Sequence, residues 1–231
     1  MGKFITFEGI EGCGKTTQIR MAGKYLKRHH ISFIVTQEPG GTTLGKKMRK
    51  ILLNRRGYNI CAEAEALIFS AVRLQHVRDV ISPALSKGKI VLCDRFSDST
   101  LVYQGFGRGL GLDFIRGLND FASAGLKPDL TIVFDLPAPI GLKRARERGE
   151  KREERRVRRE ECSSPLTPHP SPEDCFERED LEFHIKIREG YLLLAKQEPG
   201  RFRVIDGAKD IITINREVCS WVDLCRESIK C

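Results

Sequence analysis

No apolar run in this 231-residue chain approaches the roughly 20 residues that a bilayer-spanning helix needs. None of the eight cysteines sits in a CxxC pair, and with the five histidines they show no metal-ligand cadence. A zinc-held scaffold is thereby excluded, and free thiols in a reducing compartment are the simplest account. No segment repeats, which excludes a solenoid or propeller. The amino end, Met1-Gly2-Lys3-Phe4-Ile5-Thr6-Phe7, enters a strand-like pattern at once, without the charged-then-apolar layout of a secretory signal. A cytoplasmic protein with no membrane partner is expected.

The chain does carry 40% hydrophobic and 31% charged residues, the make-up of an ordinary globule, and its length suits one well-buried domain spanning 1–231. The net charge is +9, with much of the excess between Lys143 and Arg159. A basic face attracts any polyphosphate, so charge alone does not choose between a nucleotide and a nucleic acid. That stretch also reads as a solvated helix with charges paired four apart, and nucleic acid is not the expected partner.

Short β-branched runs at 3–8, 32–36, 89–93, 129–134 and 202–205 alternate with helical periodicity at 15–28, 61–87, 137–149, 177–197 and 211–228. This predicts an α/β fold: a five-stranded parallel sheet with helices on both faces and ligands at the carboxyl ends of the strands. Residues 160–175 carry four prolines and little that could form a core. With the arginine-rich stretch before them they read as a lid over 143–176 with a Pro-rich insert.

Gly9-Ile10-Glu11-Gly12-Cys13-Gly14-Lys15-Thr16 satisfies the P-loop pattern and stands between a strand and a helix. Glycines there let successive N–H groups turn inward onto phosphate, with the helix dipole behind them. Lys15 is then expected to reach the β and γ phosphates of ATP and Thr16 to bind Mg²⁺. Cys13 reads as a small residue in a tight loop. The metal needs a carboxylate nearby; Asp94, closing Ile90-Val91-Leu92-Cys93, is the choice over Asp135, which reads as a cap for the helix beginning near Pro137.

Arg95 is fixed at a strand end, whereas Arg49 and Arg73 lie on helices, where a solvated position is the rule for arginine. Phe69 and Arg73, four apart, share a helix face. Such a pair suits a ring stacked on a nucleobase beside a guanidinium at its edge, or equally a core phenylalanine beside a snorkelling arginine.

Glu38-Pro39-Gly40-Gly41-Thr42, Asp94-Arg95-Phe96 and Ser99-Thr100-Leu101-Val102-Tyr103-Gln104-Gly105, taken with the P-loop, resemble the ordered signature set of the thymidylate kinases. Phe134-Asp135-Leu136, Gly141 to Arg146 and Glu177 to Tyr191 extend the resemblance over nearly the whole chain. It implies the P-loop nucleoside monophosphate kinase type of fold and Mg-ATP-dependent phosphorylation of dTMP to dTDP by a homodimer. On matching positions it places Arg95, Arg49 and Arg73 around the monophosphate and thymine, Phe69 against the ring, Thr100 and Gln104 along the base pocket, and Glu38 in the acceptor site. Tyr103 and Glu11 fall near the sugar, Tyr103 where it disfavours a 2′-hydroxyl.

The sequence departs from the family at two points. The P-loop holds Glu11-Gly12-Cys13 where one branch carries an arginine, so the charge over the transferring phosphoryl is expected from the lid, as in the bacterial branch. Yet the arginine usual before Phe176-Glu177 is Cys175 here. Arg148, Arg152, Arg155 and Arg156 are the candidates to replace it, and Arg148, in the family-like Arg-x-Arg-Gly-Glu run, is the choice, joining Lys15 and Arg95 as catalytic residues. The rival reading is a deoxynucleoside kinase acting on the 5′-hydroxyl of thymidine, which would need a base such as Glu38.

Overall fold

The computed structural model describes residues 2–53, 59–160 and 175–227, with 152–160 and Cys175 described by backbone alone. Five strands, β1 (Lys3–Glu8), β2 (Phe33–Gln37), β3 (Ile90–Asp94), β4 (Leu130–Asp135) and β5 (Phe202–Asp206), form one parallel sheet in the order β2-β3-β1-β4-β5. β1 lies at the centre and is buried from Phe4 to Glu8. A parallel strand covered on both faces is apolar almost throughout, which explains why a charge within one is informative.

Ile5 and Phe7 point to one face, where they join Ile19, Ala22 and Leu26 of α1 (Lys15–Arg28) and Ile214 and Val218 of α9 (Ile211–Glu227). Phe4, with Val91 and Cys93, points to the other and meets Val77, Ile81 and Ala84. Glu8, in phase with Phe4 and Thr6, faces this second side.

Between β2 and β3 run α2 (Thr43–Leu53) and α3 (Ala62–His76), which passes through a π turn (Val77–Ile81) into α4 (Ser82–Ser86). The helix expected at 61–87 is thus present, with one wide turn. After β3 come α5 (Ser97–Thr100), a second π turn (Leu101–Gly107) and α6 (Leu112–Ser123), none of which helical periodicity had marked. The buried side of α6 mixes Asn119 and Ser123 with Ile115 and Ala122, so its apolar stripe is broken. Past β4, α7 (Ala138–Glu160) runs eleven residues beyond the expected end at 149, taking the arginine-rich stretch into one helix. A 3₁₀ turn (Cys175–Arg178) precedes α8 (Leu181–Gln197), whose start at Asp180 is fixed by that side chain accepting from Phe183 N at 2.7 Å. The Pro-rich insert, 160–175, lies outside the described residues but for its two ends. No described helix is long and apolar enough to cross a membrane.

Candidate active site

The β1–α1 loop occupies the carboxyl edge of the sheet. Gly12 has φ +72°, and a Cβ there would come within 2.0 Å of the Gly141 carbonyl oxygen. A Cβ on Gly141 would in turn meet the Glu11 carbonyl at 2.6 Å. Two glycines facing each other therefore let α7 press its first turn against the loop. Gly14 caps α1 at φ 100° with open space around it, so backbone angle alone requires glycine there. The first turn of α1 holds no acidic residue, leaving its positive dipole end for an anion.

Lys15 is buried, its Nζ donating to the carbonyls of Gly9 at 2.9 Å and Ile10 at 2.8 Å. Among the described residues its third proton faces only Cys13 Sγ, at 3.4 Å, a weak acceptor that a phosphate oxygen would easily better. Thr16 Oγ1 donates to Asp94 Oδ2 at 3.1 Å. A hydroxyl and a carboxylate side by side are hard oxygen donors, the set that a divalent cation retaining several waters uses. Asp135 does not cap α7; its carboxylate takes a two-point ion pair from Arg188, at 2.6 and 2.9 Å. That partner, 53 residues downstream, satisfies both oxygens and corrects the expected cap.

Arg95 has a positive φ of 69°, strained for a residue with a side chain. The turn sends its guanidinium into a ring of partners: Nη2 donates to Glu11 Oε1 at 2.7 Å and Tyr103 Oη at 2.9 Å, and Nη1 to Ser99 Oγ at 3.2 Å and Tyr191 Oη at 3.0 Å. Burial opposes charge on Glu11, but Arg95 beside it, together with His184, Lys15 and Tyr103, outweighs this and holds the carboxyl well below the usual range.

Arg73 overturns the expectation of a solvated position: it is 1% exposed. Nε donates to Glu38 Oε2 at 2.8 Å, Nη1 to Asn119 Oδ1 at 2.6 Å, and Nη2 to Phe96 O at 3.1 Å and Thr100 Oγ1 at 2.8 Å. Arginine has five N–H donors, so among the described residues a single one is left for anything bound beside it. Glu38 also accepts from His76 Nδ1 at 2.9 Å and, fastened from both sides, is badly placed to abstract a proton. Gly41 completes this corner, since a Cβ there would strike the His76 ring at 2.3 Å. Thr42 Oγ1 accepts from Gly45 N at 2.9 Å and caps α2, and Arg49 Nη1 donates to Pro39 O at 2.9 Å.

Two clefts meet at these residues. One is walled by Phe69, Thr100, Tyr103, Gln104 and Phe176; Gln104 is oriented by its amide donating to Glu65 Oε1 at 2.7 Å. Phe69 is half-buried, packed against the core and also lining this cleft, with the Phe176 ring centroid 6.3 Å away. The other runs along Gly12, Gly14, Lys15, Thr16 and Asp94 to Arg144 and Arg148. Glu11, Glu38, Arg49 and Arg95 line both. Arg148 is exposed and pairs with Glu177 at 3.1 Å; the side chains of Arg152, Arg155 and Arg156 lie outside the described residues. Sequence reading missed Glu8, Ser99, Tyr191, Asn119 and Phe176. Only Glu8 left a local trace, a charge at the buried carboxyl end of the central strand.

A family model described as thymidylate kinase matches residues 7–218. A thymidylate kinase of Syntrophus aciditrophicus is 54% identical over 229 residues, covering 98% of this chain and 97% of that protein. One from Geobacter sulfurreducens is 49% identical over 207 residues, 90% of each chain. A crystal structure of thymidylate kinase from Ehrlichia chaffeensis superposes with a TM-score of 0.71 at 31% identity, covering 96% of this chain and 98% of the other.

Proposed function

The chain belongs to the thymidylate kinase family, and from that membership and the geometry above we infer that it transfers the γ-phosphoryl group of ATP to dTMP, giving dTDP and ADP. The alternative acceptor, the neutral hydroxyl of thymidine, is not supported. The observation that carries the reading is the pair of clefts meeting at Arg95. One is lined by the loop of residues 9–16, built for a triphosphate; the other has an aromatic wall of base-sized reach.

In this reading the loop amides and the third proton of Lys15 hold the β and γ phosphates. Arg95, with Arg49, aligns the acceptor monophosphate for in-line attack. Thr16 and Asp94 hold Mg²⁺, which when bound offsets phosphate charge. The acceptor is largely dianionic at neutral pH, with a second pKa near 6, and needs no general base. Phe69 stacks on thymine, Thr100 and Gln104 meet its edge, and Arg73 acts chiefly by fixing Thr100 and Glu38. Tyr103, tied to Glu11 Oε1 at 2.8 Å, closes the space beside the sugar and favours deoxyribose. One kinase domain with a lid over 143–176 brings Arg148 to the phosphates once Glu177 releases it. Phosphorus NMR of Mg-ATP with dTMP, dUMP, dCMP, dAMP or thymidine tests the assignment. Fastest conversion of dTMP is expected; activity confined to another acceptor would end it.

The same reading takes the molecule as a cytoplasmic homodimer. Leu67 and Leu74 on α3, and Phe114 and Phe121 on α6, are exposed in pairs seven apart on two helices that pack together, with Phe121 73% exposed. Exposed apolar side chains on two neighbouring helices suit a second copy of the same chain. Phe121→Asp is expected to shift the protein from dimer to monomer in sedimentation velocity; an unchanged dimer would place the interface elsewhere.

A further inference from the structure

Glu8 is fully buried and lines neither cleft, yet it sits directly behind Arg95. Its Oε1 accepts from Phe96 N at 2.8 Å, an obligate donor. Its Oε2 faces two hydroxyls, Ser99 Oγ at 2.6 Å and Tyr191 Oη at 2.8 Å, which are the same two that accept from Arg95 Nη1. A second carboxylate, Glu11, takes the opposite nitrogen of that guanidinium. With both carboxylates ionised, Arg95 is shared between two anions before any substrate arrives, and a phosphate dianion would add more negative charge to the same spot.

The hydroxyl geometry offers a way out. Ser99 Oγ and Tyr191 Oη are 2.8 Å apart. If Oε2 gains a proton it can donate to Ser99, Ser99 to Tyr191, and Tyr191 back to Oε2, leaving each hydroxyl a lone pair for Arg95. All three contacts are filled only with that proton: with Oε2 ionised, two hydroxyl hydrogens serve three contacts and the Ser99–Tyr191 bond lacks one. Both hydroxyls still accept from Arg95 in either state, so the proton can come and go without breaking the contacts that hold the arginine.

We propose that Glu8 is a positioning residue of the acceptor site, holding Arg95 through Ser99 and Tyr191 and taking up a proton as the monophosphate dianion binds. The charged groups around it agree. Burial and Asp98 on α5 push its carboxyl up to about 7, against the pull of Arg95 and of the bonds from Ser99 and Phe96. Asp98 is itself paired with Arg201 at 2.7 Å, and Tyr191 from α8 is held neutral by burial. The proton is therefore present below about pH 7 and lost above it. A dianion arriving nearby moves that boundary upward, which by linkage means proton uptake on binding.

The inference rests on the reading of Arg95 as the acceptor-phosphate arginine. Calorimetric titration of the full chain with dTMP at pH 8, in buffers of different ionisation enthalpy, counts the protons. If the bound value rises by about one unit, about 0.4 proton is taken up, and dTMP affinity falls about fivefold between pH 7 and pH 9. Glu8→Gln, which removes a buried charge, should fold, show no uptake and lose that pH dependence. No uptake by the native protein, or the same uptake by Glu8→Gln, overturns the proposal. Should that variant not fold, infrared difference spectra of the native protein decide: a protonated-carboxyl band growing on addition of dTMP supports it, and a flat spectrum refutes it. Arg95→Ala separates the two layers. Unchanged dTMP affinity there sinks the acceptor-site reading itself, whereas a loss of 100-fold or more with no native proton uptake sinks only the role of Glu8.

Discussion

Lys15→Ala is expected to lower kcat by about 100- to 1,000-fold, the range found when one preorganised donor to a developing charge is removed. The structure gives this lysine two fixed bonds and one spare proton. The carbonyls of Gly9 and Ile10 hold its ammonium in place, and the Cys13 sulfur marks the direction left open. Alanine deletes the charge that offsets the phosphoryl group as it moves. It also deletes two side-chain-to-backbone bonds, worth about 1 kcal/mol each, so folding should persist. Steady-state kinetics with saturating ATP and dTMP, read beside a urea melt, checks both halves. A kcat within threefold of native would remove Lys15 from the phosphate site.

Arg73→Ala is expected to cost about 3–5 kcal/mol of stability, because it strips the buried Glu38 carboxylate of its guanidinium. Asn119, Thr100 and the Phe96 carbonyl lose a partner in the same step. The exposed pair of Arg116 with Asp113 provides the contrast: Arg116→Ala should change stability by about 0.5 kcal/mol or less. Chemical denaturation of the two variants measures the difference. Loss at Arg73 no greater than at Arg116 would mean that its bonds are not formed in solution. Because Arg73 also holds Thr100 on the cleft wall, KM for dTMP should rise in any folded preparation.

Why the strands were legible and these bonds were not has a physical cause. A parallel strand is covered on both faces, so 3–8, 89–93 and 129–134 announce themselves as apolar runs, each within a residue of β1, β3 and β4. The phosphate loop was legible because glycine positions and one lysine are fixed by backbone geometry within eight residues. The segment from Ser97 to Gly107 was not, since a π turn departs from the helical period that sequence reading relies on. Arg73 defeated a sound rule about exposed arginines, as its partners lie at 38, 96, 100 and 119 and converge only after folding. Asp135 gave the profile of a helix cap because nothing near it signals Arg188. The pairing of Ser99 with Tyr191 was invisible for the same reason, the two being 92 residues apart.

In the proposed reaction one anion is gripped by the loop of residues 9–16 and a second by Arg95, close enough for a phosphoryl group to pass between them. A crystal grown with dTMP, Mg²⁺ and a non-hydrolysable ATP analogue puts it to the test. The expected result is the triphosphate in the loop with a γ-oxygen on Lys15 Nζ, the metal beside Thr16 and Asp94, and the monophosphate on Arg95 with thymine against Phe69. A monophosphate bound away from Arg95, or a triphosphate outside the loop, would contradict it.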